Sequence, residues 1–140
     1  MSRELLDFLR ARLDEESTEA QAASSKPGGG RWKAVLDPED LTAVCGQHKP
    51  GEPGYPDLPV VASPDDHETS VHIARQDPAR VLREVEAKRE LLADYERFVA
   101  ERRRLMGGWD SYPEVSPVLT AFAAVYSDHP DYWDEWRPTP

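Results

Sequence analysis

Residues 72–106 read HIARQDPARVLREVEAKRELLADYERFVAERRRLM, and the expected architecture is built around them. Asp77 supplies a side-chain acceptor for the free amides of a first helical turn. Pro78 at the first helical position loses no hydrogen bond, because that amide has no partner within the helix. No glycine or proline interrupts the run from Ala79 to Leu105. Val81, Val85, Leu92, Tyr95 and Val99 recur at helical spacing along one seam, with Leu91, Phe98 and Leu105 widening it. Glu84 precedes Lys88, and Arg97 precedes Glu101, at the four-residue separation that supports a helix. Gly107-Gly108 then stops it. The spacing therefore predicts one long, salt-laced amphipathic helix. Lys88 is its oddity, a charge near the middle of the apolar seam.

Towards the N-terminus, Ser2 can cap a helix running to about Ala23, with Leu5, Phe8, Leu9, Leu13 and Ala20 on one stripe. The run Ser24–Gly30 (SSKPGGG) ends it. Arg31–Asp37 alternates as a strand, and Leu41–Cys45 follows as a second short strand, with a helical Pro38–Val44 as the competing reading. Residues 46–57 hold too much Gly and Pro for either. Leu58–Ala62 is a further short strand, and Ser63–Ser70 (SPDDHETS) reads as an exposed acidic loop. Towards the C-terminus, Ser116-Pro117 repeats the cap-and-proline signal and opens a third helix to about Ser127. Asp131–Arg137 (DYWDEWR) reads as one or two helical turns. The expectation is an α+β fold, mostly helical. It has three main helices and a small antiparallel β element between the first and second. Its length suits one small domain, residues 1–140, with flexible segments near 24–30, 46–57 and 63–70.

Composition narrows the function classes. Seventeen basic against 27 acidic residues give a formal charge of −10, which argues against direct nucleic-acid binding, since counterion release needs clustered Lys and Arg. It argues equally against docking on anionic membranes. The N-terminus lacks a signal-peptide apolar region, and no apolar run approaches the roughly 20 residues of a spanning helix. The expected location is the cytoplasm. Leu, Ile, Val and Phe are sparse, so the four Trp and five Tyr must carry much of the core.

Four constellations deserve a chemical reading. Cys45 and His48 form a lone C-x-x-H pair, whereas a structural zinc site needs four ligands, so no metal and no cofactor is expected. Asp65, Asp66, His67, Glu68 and His72 place carboxylates beside imidazoles, but without the HExxH spacing that sets two histidines on one helical face. His72, Arg75 and Arg80 form a basic group around the Asp77-Pro78 cap. His129, Tyr132, Trp133 and Trp136 form a C-terminal group in which the aromatics either clamp the terminus onto the core or meet another protein.

The segment HIARQDPARVL, the helix after it, the closing DHPDYWDEWRP and the opening LLDFLRARLDEE together resemble an uncharacterised family of small actinobacterial proteins of unknown function. The resemblance covers about half of the chain. It implies an actinobacterial or associated phage origin and carries no activity, cofactor or catalytic residue. Members of that family often have His where Gln76 stands, and Cys residues where Arg104–Leu119 has none. The leading expectation is a non-enzymatic interaction or accessory protein whose partner is another protein. The alternative is a small metal-dependent hydrolase using His72, His129 and nearby carboxylates. A further alternative is an acidic nucleic-acid mimic that inhibits a DNA-binding enzyme.

Overall fold

The computed structural model describes residues 2–36, 42–47, 59–113, 115–138 and 140. Its elements run α1 (Ser2–Ser24), β1 (Trp32–Leu36), β2 (Thr42–Gly46), β3 (Val60–Ala62), α2 (His67–Arg75), α3 (Pro78–Met106) and α4 (Pro117–Ala123). Single 3₁₀ turns follow at Gly107–Trp109, Ala124–Tyr126 and Asp134–Trp136. The fold is α+β with an antiparallel sheet between the first two helices, as the sequence predicts, but with four helices rather than three. The chain divides into two compact units: residues 1–14 with 87–140, and residues 15–86.

The unit formed by residues 15–86 is built on the sheet, in the order β1-β2-β3. Trp32 lies opposite Gly46, Ala34 opposite Val44 and Leu36 opposite Thr42. Val44 faces Ala62 and Cys45 faces Val60, with a bulge between the two pairs. Gly46 is required where it stands. A Cβ there would collide with the backbone carbonyl of Gly28, which cannot swing aside as a side chain would. The strand supersedes the helical reading of Pro38–Val44 at Thr42–Val44; residues 37–41 lie outside the described residues.

The second helix was hidden in the expected acidic loop. Asp66 caps α2, its Oδ1 accepting from the Thr69 amide at 2.7 Å and its Oδ2 from the Thr69 hydroxyl at 2.8 Å. Ser70 and Ala74 are then buried on the face that packs on β1 and β2. A nine-residue helix is marginal in isolation, so it owes its existence to that packing. Asp77 joins the helix start to the sheet. Its Oδ1 accepts from the Arg80 amide at 2.8 Å and its Oδ2 from the Trp32 amide at 3.2 Å, while Gly30 accepts from the Ala79 amide at 2.8 Å. The Asp-Pro signal is therefore both a cap and a latch between β1 and α3.

In the other unit, Leu5, Leu9, Leu13, Leu92 and Leu119 are at most 1% exposed, and Phe8 and Trp136 join them. Lys88 loses its oddity here. Its Nζ lies 5.5 Å from the centroid of the Phe122 ring, a cation–π contact that lets a charge sit beside an apolar seam. Ser116 caps α4 as expected, accepting from the Val118 amide at 3.2 Å, and is itself buried. However, α4 ends at Ala123 and tightens into a 3₁₀ turn rather than continuing to Ser127.

One part of the long-helix reading is overturned. Leu91, Phe98 and Leu105 do not widen the buried seam; they are 51%, 44% and 68% exposed. At about 100° per residue, a line through 91, 98 and 105 is turned by roughly 100–140° from Leu92. That rotation exceeds what one buried stripe can cover.

Candidate functional site

The C-terminal aromatics converge on Phe8 of α1. Trp136 lies 5.0 Å from its ring centroid, Tyr132 6.0 Å and His129 5.8 Å. Trp136 is 1% exposed, so it belongs to the core of this unit. Trp133 stacks on Trp136 at 4.8 Å and an interplanar angle of 17°, yet remains 44% exposed. Of the expected one or two helical turns there is one, the 3₁₀ turn Asp134–Trp136, and Trp133 precedes it in extended conformation. The cluster clamps the C-terminal segment and leaves one aromatic face outward.

His129 and Asp131 meet Arg12, which is 6% exposed. The Arg12 guanidinium contacts the His129 ring, lies 3.8 Å from the Asp131 carboxylate and sits 5.0 Å from the centroid of Phe8. The Asp131 amide donates to His129 Nδ1 at 3.1 Å. This imidazole is thus engaged by groups that hold the turn. The Tyr132 hydroxyl and Trp136 Nε1 are buried and make no hydrogen bond among the described residues.

The basic group around Asp77 is placed on two helices. His72 and Arg75 are exposed near the end of α2. Arg80 is half-buried on α3, donating from Nε to Glu84 Oε1 at 2.8 Å. Cys45 is buried in β2, and His48 lies outside the described residues. Among the described residues no three His, Cys, Asp or Glu side chains group so as to hold a metal ion. His72 belongs to the unit of residues 15–86, and His129 to the other.

Sequence reasoning missed the far end of α3. Beyond exposed Leu105 and Met106 the chain turns at Gly107, whose φ of 53° is left-handed, and presents Trp109 at 89% exposure. An indole so fully in water is unusual, because its large apolar surface is ordinarily buried. Beneath this tip, Asp110 accepts from Arg102 Nε and Nη2 at 3.0 and 2.7 Å and from the Tyr112 amide at 3.0 Å. The Arg102 hydrogen bonds, seconded by that amide, hold the Asp110 carboxyl below its ordinary value. Arg102 also lies 5.6 Å from Phe98 and 5.4 Å from Tyr112. The tip is exposed but its base is tied down. The sequence signal was present in GGW, where a tryptophan directly follows a helix stop.

The chain belongs to the family of unknown function DUF6221, whose match spans residues 2–138. No curated protein and no solved structure matches it.

Proposed function

We propose that this member of a family without an assigned activity is a non-enzymatic accessory protein that docks another protein through the apolar tip of α3. Trp109, exposed at 89% beside Leu105 and Met106, carries the reading. Exposed apolar side chains this close along the chain, above the Arg102–Asp110 hydrogen bonds, are what an interface core is made from. Leu91 and Phe98 extend the same line back along the helix, while the Asp94–Arg97 and Glu101–Arg104 pairs (3.1 and 2.6 Å) supply a polar margin. Trp133 offers a separate exposed ring on the same unit. We place the protein in the cytoplasm of an actinobacterial host. Among the described residues no helix is long and apolar enough to cross a membrane.

The hydrolase alternative draws no support from His129, which Arg12 and Phe8 engage. The acidic-mimic alternative draws none from carboxylates that are interleaved with arginines in ion pairs. The test is affinity capture from host lysate with the wild-type chain, a Leu105→Ser/Trp109→Ala variant and a Trp133→Ala variant. The expected outcome is a partner recovered with wild type and Trp133→Ala and lost with the double variant. Equal recovery by all three would refute the assignment of the tip.

A further inference from the structure

Independently of the docking tip, α1 and α3 border an open-sided cavity of about 430 Å³ within the unit of residues 1–14 and 87–140. That volume lies in the range of small-molecule sites, roughly 300–1,000 Å³. Its apolar wall is made by Leu6, which is buried, with Val99 and the ring of Tyr95. Burial, with the Tyr112 phenol second, pushes the Tyr95 hydroxyl up.

The charges of the cavity are unevenly used. Asp7 and Glu96 both line it, and both engage Arg10, at 3.9 and 2.5 Å. Arg3 and Arg103 line it from opposite helices; Arg3 acts on Glu4 and Arg103 on Asp110 by charge alone, without a direct ion pair among the described residues. That is unusual in this unit. Seven of its nine arginines are paired: Arg10 with Glu96, Arg12 with Asp131, Arg89 with Asp14, Arg97 with Asp94, Arg102 with Asp110, Arg104 with Glu101 and Arg137 with Asp134. In a chain of net charge −10, carboxylates are plentiful. The two guanidiniums without a direct ion pair among the described residues both border the same cavity. Arg3 also lies in the first turn of α1, where the Glu4 carboxylate already engages a backbone amide.

We infer that this cavity binds a small organic oxyanion, a carboxylate or phosphate monoester with an apolar body. Arg3 and Arg103 hold the charged head, and Leu6, Val99 and Tyr95 cover the body. The guanidinium fork matches either head in a bidentate manner, so the site reads the oxyanion and the adjoining apolar group together.

Calorimetric titration of the full chain tests this with phenyl phosphate and benzoate as probes. Inorganic phosphate supplies the head alone and phenol the body alone. The expected result is saturable binding of at least one two-part probe, about tenfold or more tighter than either fragment. Arg3→Ala/Arg103→Ala should weaken it by a similar factor. Arg97→Ala/Arg104→Ala removes the same charge from outside the cavity and should leave it unchanged. Circular dichroism should match wild type for Arg3→Ala/Arg103→Ala, which loses no direct ion pair, and for Arg97→Ala/Arg104→Ala, whose two lost pairs are solvent-exposed and contribute little to stability. Equal loss in the two double variants would reduce the effect to general electrostatics and overturn the site. So would binding of phenol as tight as phenyl phosphate, or no saturable binding of either two-part probe. Binding to phosphatidic-acid vesicles without binding of the soluble probes would likewise overturn it, in favour of a membrane surface.

Discussion

At the scale of single residues, the two neighbouring tryptophans should behave differently although they stack on one another. Trp136 is buried against Phe8, and Trp136→Ala should cost about 3–5 kcal/mol, the usual result of emptying a core aromatic site. Trp133→Ala removes a half-exposed ring and one stacking contact, and should cost about 0.5–1.5 kcal/mol. Denaturant unfolding of the two variants measures both. Asp110 gives a pH signature. Its folded carboxyl titrates below its ordinary value because Arg102 holds it ionised. Its contribution is thus complete above the ordinary carboxylate range and lost as pH falls through the depressed folded value. Asp110→Asn should flatten the acid limb of the stability profile and lower stability at neutral pH; an unchanged limb would mean that the bridge does not form. The sequence showed the aromatics of residues 132–136 as a group but not which ring is inside. Burial of Trp136 depends on Phe8, more than a hundred positions away, and no local spacing carries that information. Arg3 and Arg103 were silent for the same reason. Being without a direct ion pair is a property of three-dimensional neighbours.

At the scale of elements, the legible parts were those with strong local punctuation. Asp77-Pro78 and Ser116-Pro117 open helices as expected, because capping and a fixed φ act within a few residues. Strand β1 was legible from alternation and β3 from a short apolar run, whereas β2 stood against a nearly equal helical reading. Helix α2 was not. HETSVHIAR is rich in residues that lose side-chain freedom or compete for the backbone in a helix, and only packing on β1 and β2 overrides that preference. Asp66→Ala removes both Thr69 hydrogen bonds and should destabilise the protein, with the loss of protection in hydrogen exchange concentrated in α2. Gly46→Ala should be worse tolerated than its small volume suggests, because the obstacle is the Gly28 carbonyl. Unfolding measurements that placed it level with wild type would contradict that close approach.

At the scale of the whole molecule, hydrophobic periodicity located the long helix and its buried line at Val85 and Leu92, yet assigned Leu91, Phe98 and Leu105 to the same line. Periodicity reports which residues share a face; it cannot report whether anything covers that face. The exposed line, continued by Met106 and Trp109, is the ground for reading this family member as a protein that works by contact. The chain has four tryptophans, so fluorine-labelled tryptophan yields four resonances, and the Trp109→Phe variant identifies the one at the tip. The most direct measurement is the fluorine spectrum of the labelled wild-type chain before and after addition of unlabelled host lysate. The Trp109 resonance should shift or broaden selectively while that of buried Trp136 holds its position. A Trp109 resonance that keeps its solvent-exposed position and width in the lysate would contradict it.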